Sequence, residues 1–166
     1  MTDVPMVIAA DGSCLSNPGP GGWSWAVAAD CWRAGGHPNT TNNLMELRAV
    51  YEALSAVRPE VPLIVETDSQ YVIGIFTEWL QGWVANGWRT SGRKPVANRA
   101  AIEEVQRLLS NREVTWHHVK GHSGHHLNET ADRHARAAAT AIRDNRPVDE
   151  GRVSGCRHRE GLIGWQ

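Results

Sequence analysis

VPMVIAADGSCLSNPGPGGW, residues 4–23, is an apolar run that stops on a carboxylate and dissolves into Gly, Pro, Ser and Asn. Val4 to Ala10 reads as a buried strand. The glycine-bearing polar run from Asp11 to Gly22 reads as a turn region. Trp23 to Ala29 alternates loosely and predicts a second strand. Cys31 to His37 predicts a short third, so the chain opens as an antiparallel meander.

Downstream, Thr40-Thr41-Asn42-Asn43 are N-cap residue types. Leu47, Val50, Tyr51, Leu54 and Val57 follow at helical spacing and stop before Pro59. Leu63 to Thr67 predicts a fourth strand that ends at Asp68, with Ser69 placed to cap the next helix. A helix between strands one and four allows those two to lie parallel. A Trp-rich segment, 79–99, precedes an amphipathic helix over Asn98–Leu109 and a fifth strand over Glu113–Val119. A polar loop, Lys120–His126, leads to an alanine-rich helix over Leu127–Ile142. The order β-β-β-α-β-α-α-β-α predicts an α/β fold with a five-stranded mixed sheet flanked by helices. Past Arg143 the pattern fades. The expected organisation is one domain over 1–143 and a flexible tail over 144–166.

Composition excludes several classes. The chain has 166 residues, 41% of them hydrophobic and 21% charged, and a formal net charge of −1. That excludes a polycation coating nucleic acid by bulk charge, so a nucleic-acid surface has to be a local patch. Three cysteines, Cys14, Cys31 and Cys156, argue against a disulfide framework and fit a reducing compartment. No basic leader and no long apolar stretch is evident, so the expectation is a cytoplasmic protein with no membrane association.

Asp11 and Asp68 each follow an apolar strand. Parallel strands present ligands at their carboxyl ends, which gives the two a reason to meet. Glu46 and Asp132 sit early in helices that could bring them to the same place. Converging carboxylates repel one another unless a cation neutralises them. Magnesium suits an all-oxygen cage, and two ions can serve phosphodiester hydrolysis. Each residue also has a structural reading. Asp11 starts a turn, Asn43 and Glu46 have capping-box spacing, Asp68 precedes a helix start, and Asp132 suits a solvated helix face.

The segments DGSCLSNPGPGGW (from Asp11), TTNNLMELRAV (from Thr40), TDSQYVIG (from Thr67) and VKGHSGHHLNETAD (from Val119) closely resemble bacterial type 1 ribonuclease H. WLQGWVANGWRTSGRKPVAN (from Trp79) resembles that family's basic protrusion. The resemblance runs in order from about Val4 to Arg143. It implies the ribonuclease H fold and a metal-dependent endonuclease that hydrolyses the RNA strand of RNA–DNA hybrids. It also implies two Mg2+ ions, with Mn2+ as a substitute, held by Asp11, Glu46, Asp68 and Asp132. His122 falls on the family's mobile catalytic histidine, and Glu129 on an acidic residue outside the direct ligands. The competing reading is a zinc site among His117, His118, His122, His125, His126 and His134. It is disfavoured because no Cys is near and strand neighbours His117 and His118 face opposite ways.

A hybrid-specific nuclease reads 2′-hydroxyls in a wide minor groove. Backbone amides near Cys14, Ser16 and Asn17, with the Asn17, Asn43 and Gln70 side chains, are the expected readers. Thr41 and Asn42, at a helix N-terminus, are the expected phosphate anchor for the DNA strand. Between Trp79 and Arg99 lie Arg89, Arg93, Lys94 and Arg99 without an Asp or Glu. Trp79, Trp83, Trp88 and Asn98 interleave with them as a backbone-tracking surface, although at least one tryptophan should pack the protrusion onto the core. Val84-Ala85-Asn86 departs from the relatives' consecutive basic residues, and Ser16 stands where a glycine is frequent. A monomer is expected. The alternatives are a non-catalytic hybrid-binding module and another nuclease of the same superfold.

Overall fold

The computed structural model describes residues 4–120, 125–157 and 159–163. Its strands are β1 (Met6–Cys14), β2 (Gly19–Ala28), β3 (Cys31–Thr40), β4 (Leu63–Thr67), β5 (Val114–His118) and β6 (Gly151–Arg152). They form one sheet in the order β5-β4-β1-β2-β3-β6. β1, β2 and β3 pair antiparallel, while β1–β4 and β4–β5 are parallel. The expected five-stranded mixed sheet is therefore present, with a short sixth strand at its edge.

The helices are α1 (Asn42–Ala56), α2 (Gln70–Gly74), α3 (Leu80–Ala85), α4 (Arg99–Leu109) and α5 (His126–Arg143). A π-helical turn, Ile75–Trp79, joins α2 to α3. Strand alternation divides the core into two layers. Ile8, Ala10 and Trp25 pack with Leu47, Val50, Leu54 and Ile102 on the α1–α4 side. Ala9, Ala26, Trp32 and Ala34 pack with Ala131 and Ala138 on the α5 side. The alanines bring α5 close to the sheet: a Cβ on Gly22 would lie 2.2 Å from the Ala135 carbonyl oxygen.

Two expectations are corrected. The meander is longer than its apolar residues suggest, because β1 runs on through Asp11 to Cys14, paired with β2 as far as Cys14↔Gly21. Polar and glycine residues extend a strand when a neighbour takes up their backbone groups, which composition does not reveal. Residues 144–163 also do not run free of the domain. β6 pairs with β3 at Trp32↔Arg152 and Arg33↔Gly151, and Leu162, fully buried, bridges to Val57. Cys156 is bonded to Cys31 across 125 residues, leaving Cys14 as the free thiol. An odd cysteine count cannot reveal a pair formed by packing. No helix among the described residues is long and apolar enough to cross a membrane.

Candidate active site

The parallel register of β1 and β4 runs from Met6↔Leu63 to Ala9↔Glu66. Continued two places, it sets Asp11 beside Asp68, just past the end of β4. Asp11 itself lies within β1, opposite Ser24 of β2. It still marks the carboxyl end of the parallel pair, because β4 stops there and β1 does not.

Glu46 arrives from α1. The helix is capped by Thr41, whose hydroxyl oxygen accepts from the Leu44 N–H at 3.2 Å. Glu46 is therefore a turn further in, and the capping-box reading for it does not hold. Close approach brings it to the sheet: a Cβ on Gly12 would stand 2.4 Å from the Glu46 nitrogen. Only glycine permits β1 and the α1 backbone to meet there. One oxygen each from Asp11, Glu46 and Asp68 lies within 4.8 Å of the others. Asp132 on α5 lines the same cleft of ≈ 410 Å³, with Gly12, Ser13, Asn42, Asn43, Ser69, Gln70 and Tyr71.

Burial and mutual charge decide the electrostatics. Asp11 is 3% exposed. Its carboxyl is held well above the usual range, first by burial and then by the charges of Glu46, Asp68 and Asp132. Asp132 can bond to Asp11 only through a shared proton. Glu46 is raised to about 8 by burial and then by Asp68, against hydrogen bonds from the Ser69 side chain and the Gly12 N–H. Asp11 Oδ2 and Glu46 Oε2 are buried without a hydrogen-bond partner. Buried acceptor oxygens that repel one another and lack donors fit a hard cation. The Asp132 Oδ2 atom is 2.8 Å from an Arg136 guanidinium nitrogen.

The other expected residues separate into groups. Asn42, Asn43 and Gln70 stand at the cleft. The Asn17 side-chain oxygen accepts from the Asn42 N–H at 3.1 Å, tying the β1–β2 turn to α1. Cys14 ends β1 and Ser16 lies in that turn, where the Cys14 thiol faces the Ser16 carbonyl at 2.8 Å and the Ser16 hydroxyl faces the Pro18 carbonyl at 3.2 Å. Glu129 is exposed on α5 and does not line the cleft. His122 lies outside the described residues.

In the protrusion, Trp88 is buried beneath the Arg99 guanidinium, 4.8 Å from its ring centre, and packs into the core. Trp79 is 42% exposed. It leans towards Trp83, with ring centres 6.1 Å apart, and seats on Gly74. The Asn98 amide donates to the Tyr71 hydroxyl at 3.1 Å, linking α4 to the cleft wall. Of the described histidines, His134 stacks on Trp32, while His117 faces Glu66 at 3.5 Å and meets the His125 ring edge-on at 5.8 Å. Among the described residues the acidic trio is the one group able to hold a metal.

Gly12, Ser69 and Tyr71 went unread as site residues. Gly12 and Ser69 flank the two aspartates, which was a usable signal. Tyr71 had none, because a helix-start tyrosine looks like packing.

The RNase H family model matches residues 3–140. The ribonuclease H of Tropheryma whipplei (strain Twist) is 44% identical over 140 residues, covering 84% of this chain and 87% of its own. That of Nitratidesulfovibrio vulgaris (strain Hildenborough) is 44% identical over 155 residues, covering 91% and 98%. Among solved structures, LC9-RNase H1, a type 1 RNase H with the type 2 active-site motif, superposes with a TM-score of 0.68 at 32% identity, over 90% of this chain and 78% of that one. A mixed sheet carrying an acidic cleft at the end of its central parallel pair is the architecture of a metal-dependent endoribonuclease. This chain belongs to the ribonuclease H family.

Proposed function

We propose that this chain hydrolyses the RNA strand of RNA–DNA hybrids, with Asp11, Glu46, Asp68 and Asp132 holding two magnesium ions. The observation that carries the reading is the convergence of Asp11, Glu46 and Asp68 oxygens within 4.8 Å, where Asp11 and Glu46 are buried and each has one oxygen without a donor. When bound, such ions supply an activated water and neutralise charge at the leaving oxygen. Manganese, also an oxygen-preferring divalent ion, is the expected substitute.

The chain's own residues do the rest. Ser69 and the Gly12 N–H orient Glu46. Asn43, Gln70 and the amides of the Cys14–Asn17 turn face the RNA minor groove. Thr41 and Asn42, at the start of α1, meet a phosphate of the DNA strand. Trp79 and Trp83, with Arg89, Arg93 and Lys94, extend the track, while Trp88 and Asn98 brace it. His122 moves a proton at the leaving oxygen, and Glu129 acts from outside the direct ligands. One chain supplies all four carboxylates, so a monomer suffices. The cytoplasm is the proposed location.

Cleavage of matched RNA–DNA, RNA–RNA and DNA–DNA duplexes with Mg2+ tests this. The expected result is cleavage of the hybrid's RNA strand alone. Binding without turnover would mean a hybrid-binding module, and cleavage of DNA duplexes another nuclease of the superfold.

A further inference from the structure

Four carboxylates share the cleft, and one is already engaged. We propose that Arg136 is a counter-ion for Asp132 that competes with the incoming cation, so that it sets the metal concentration at which the site fills. This rests on the reading of Asp132 as a metal ligand.

Helix geometry makes the pairing local. Asp132 and Arg136 are four residues apart on α5, which is continuous from His126 to Arg143, so they share a face. Their 2.8 Å contact is a short, charge-assisted bond. On its inner side Asp132 meets Asp11, whose carboxyl is raised partly by Asp132 itself. Asp132 therefore stands between a crowded, repelling interior and a guanidinium outside. The carboxylate that would complete the cation cage is occupied before any cation arrives.

Two effects of removing Arg136 oppose each other. Asp132 would lose a partner that fixes its rotamer, which weakens metal binding. The cleft would also lose a positive charge touching a ligand oxygen, which strengthens it. Asp has a short side chain that a helix already restricts, so little order is lost. The charge effect wins. It is modest because the Arg136 side chain is 58% exposed and the Asp132 side chain 27%. Solvent screening limits such a pair to about a two- to fivefold change in affinity. Arginine carries its charge at every working pH, so the competition is permanent.

The test compares the intact protein with Arg136→Ala and Arg136→Lys. Mg2+ alone is titrated calorimetrically without nucleic acid, and hybrid cleavage is followed against Mg2+ concentration. Arg136→Ala should lower both midpoints about two- to fivefold, with the cleavage rate at saturating Mg2+ unchanged. Arg136→Lys, which keeps the charge, should restore the unsubstituted midpoints. Unchanged or raised midpoints in Arg136→Ala overturn the proposal, as does a lysine variant that shifts as far as the alanine one. An unsubstituted protein that neither takes up Mg2+ nor cleaves a hybrid overturns the functional reading and this proposal together. An unsubstituted protein that does both, with Arg136→Ala unshifted, overturns this proposal alone.

Discussion

The carboxylate cleft and the C-terminal segment are built on opposite physical terms. In the cleft, Asp11 and Glu46 are buried against like charge, and two of their oxygens lack donors. That arrangement opposes folding until a cation enters. Residues 144–157 and 159–163 contain few apolar side chains, yet they hold the domain together from outside. Cys156 joins Cys31, β6 extends β3, and Leu162 enters the main core beside Val57. The Arg58 N–H donates to the Gly161 carbonyl at 2.7 Å, and the Ile163 N–H to that of Ala56 at 2.8 Å. The buried acids of the cleft cost stability, and residues of the C-terminal segment contribute it.

The sharpest way to separate the two regions is Asp68→Asn. Hybrid cleavage should fall by at least about a thousandfold, a loss of roughly 4 kcal/mol in transition-state stabilisation, while metal-free thermal stability holds or rises. Full activity would break the cleft reading, and a fall in melting temperature would make the carboxylate structural.

Reducing the disulfide, or substituting Cys156→Ser, should act in the opposite sense. A crosslink closing a loop of 125 residues stabilises by about 5 kcal/mol through the unfolded chain. Melting with and without a thiol reductant should show a drop, while hybrid cleavage at low temperature persists. An unmoved midpoint would show that the strap holds without its covalent link.

Leu162→Ala should cost about 3 kcal/mol, because the side chain is fully buried. Denaturant unfolding measures it. A cost below about 1 kcal/mol, the range of an unburied site, would show that the segment's end does not share the core.

The most gradual effect, smallest per step, is the pH dependence of the metal-free protein. Glu46 is raised from 4.5 to about 8 in the folded state. A carboxyl raised on folding contributes stability that is full below its unfolded value and is lost as pH rises through its folded one. Metal-free unfolding free energy should therefore decline between pH 5 and 8, by at most about 1.4 kcal/mol per pH unit for each such group, and the melting temperature should fall with it. Adding Mg2+ should flatten the slope. A slope of the opposite sign would mean that Glu46 is not the buried acid described.

Much of this was legible along the chain, for reasons that individual elements make plain. α1 carried its own start signal in Thr41 and its own apolar face. Asp11 and Asp68 were readable because strand ends in parallel pairs gather ligands. Asp132 was placed by resemblance, since nothing local separates it from a solvated helix residue. The polar half of β1 was read as a turn because its hydrogen-bond partner, β2, lies elsewhere in sequence. Trp88 and Trp79 share a segment and a residue type, yet one is core and the other 42% exposed, which only the packing around each decides.

The sequence by itself determined the order of the five main strands, the family and the three acids that converge at the strand ends. These depend on periodicity, turn chemistry and local motifs, all carried within a few residues of one another. Tertiary structure alone decided that Gly12 lets α1 deliver Glu46, that Arg136 occupies Asp132, and that Gly151–Arg152, Cys156 and Leu162 are tied to β3 and the end of α1. Each of those is a contact between surfaces assembled by folding, and its energy exists only once the partners are brought together.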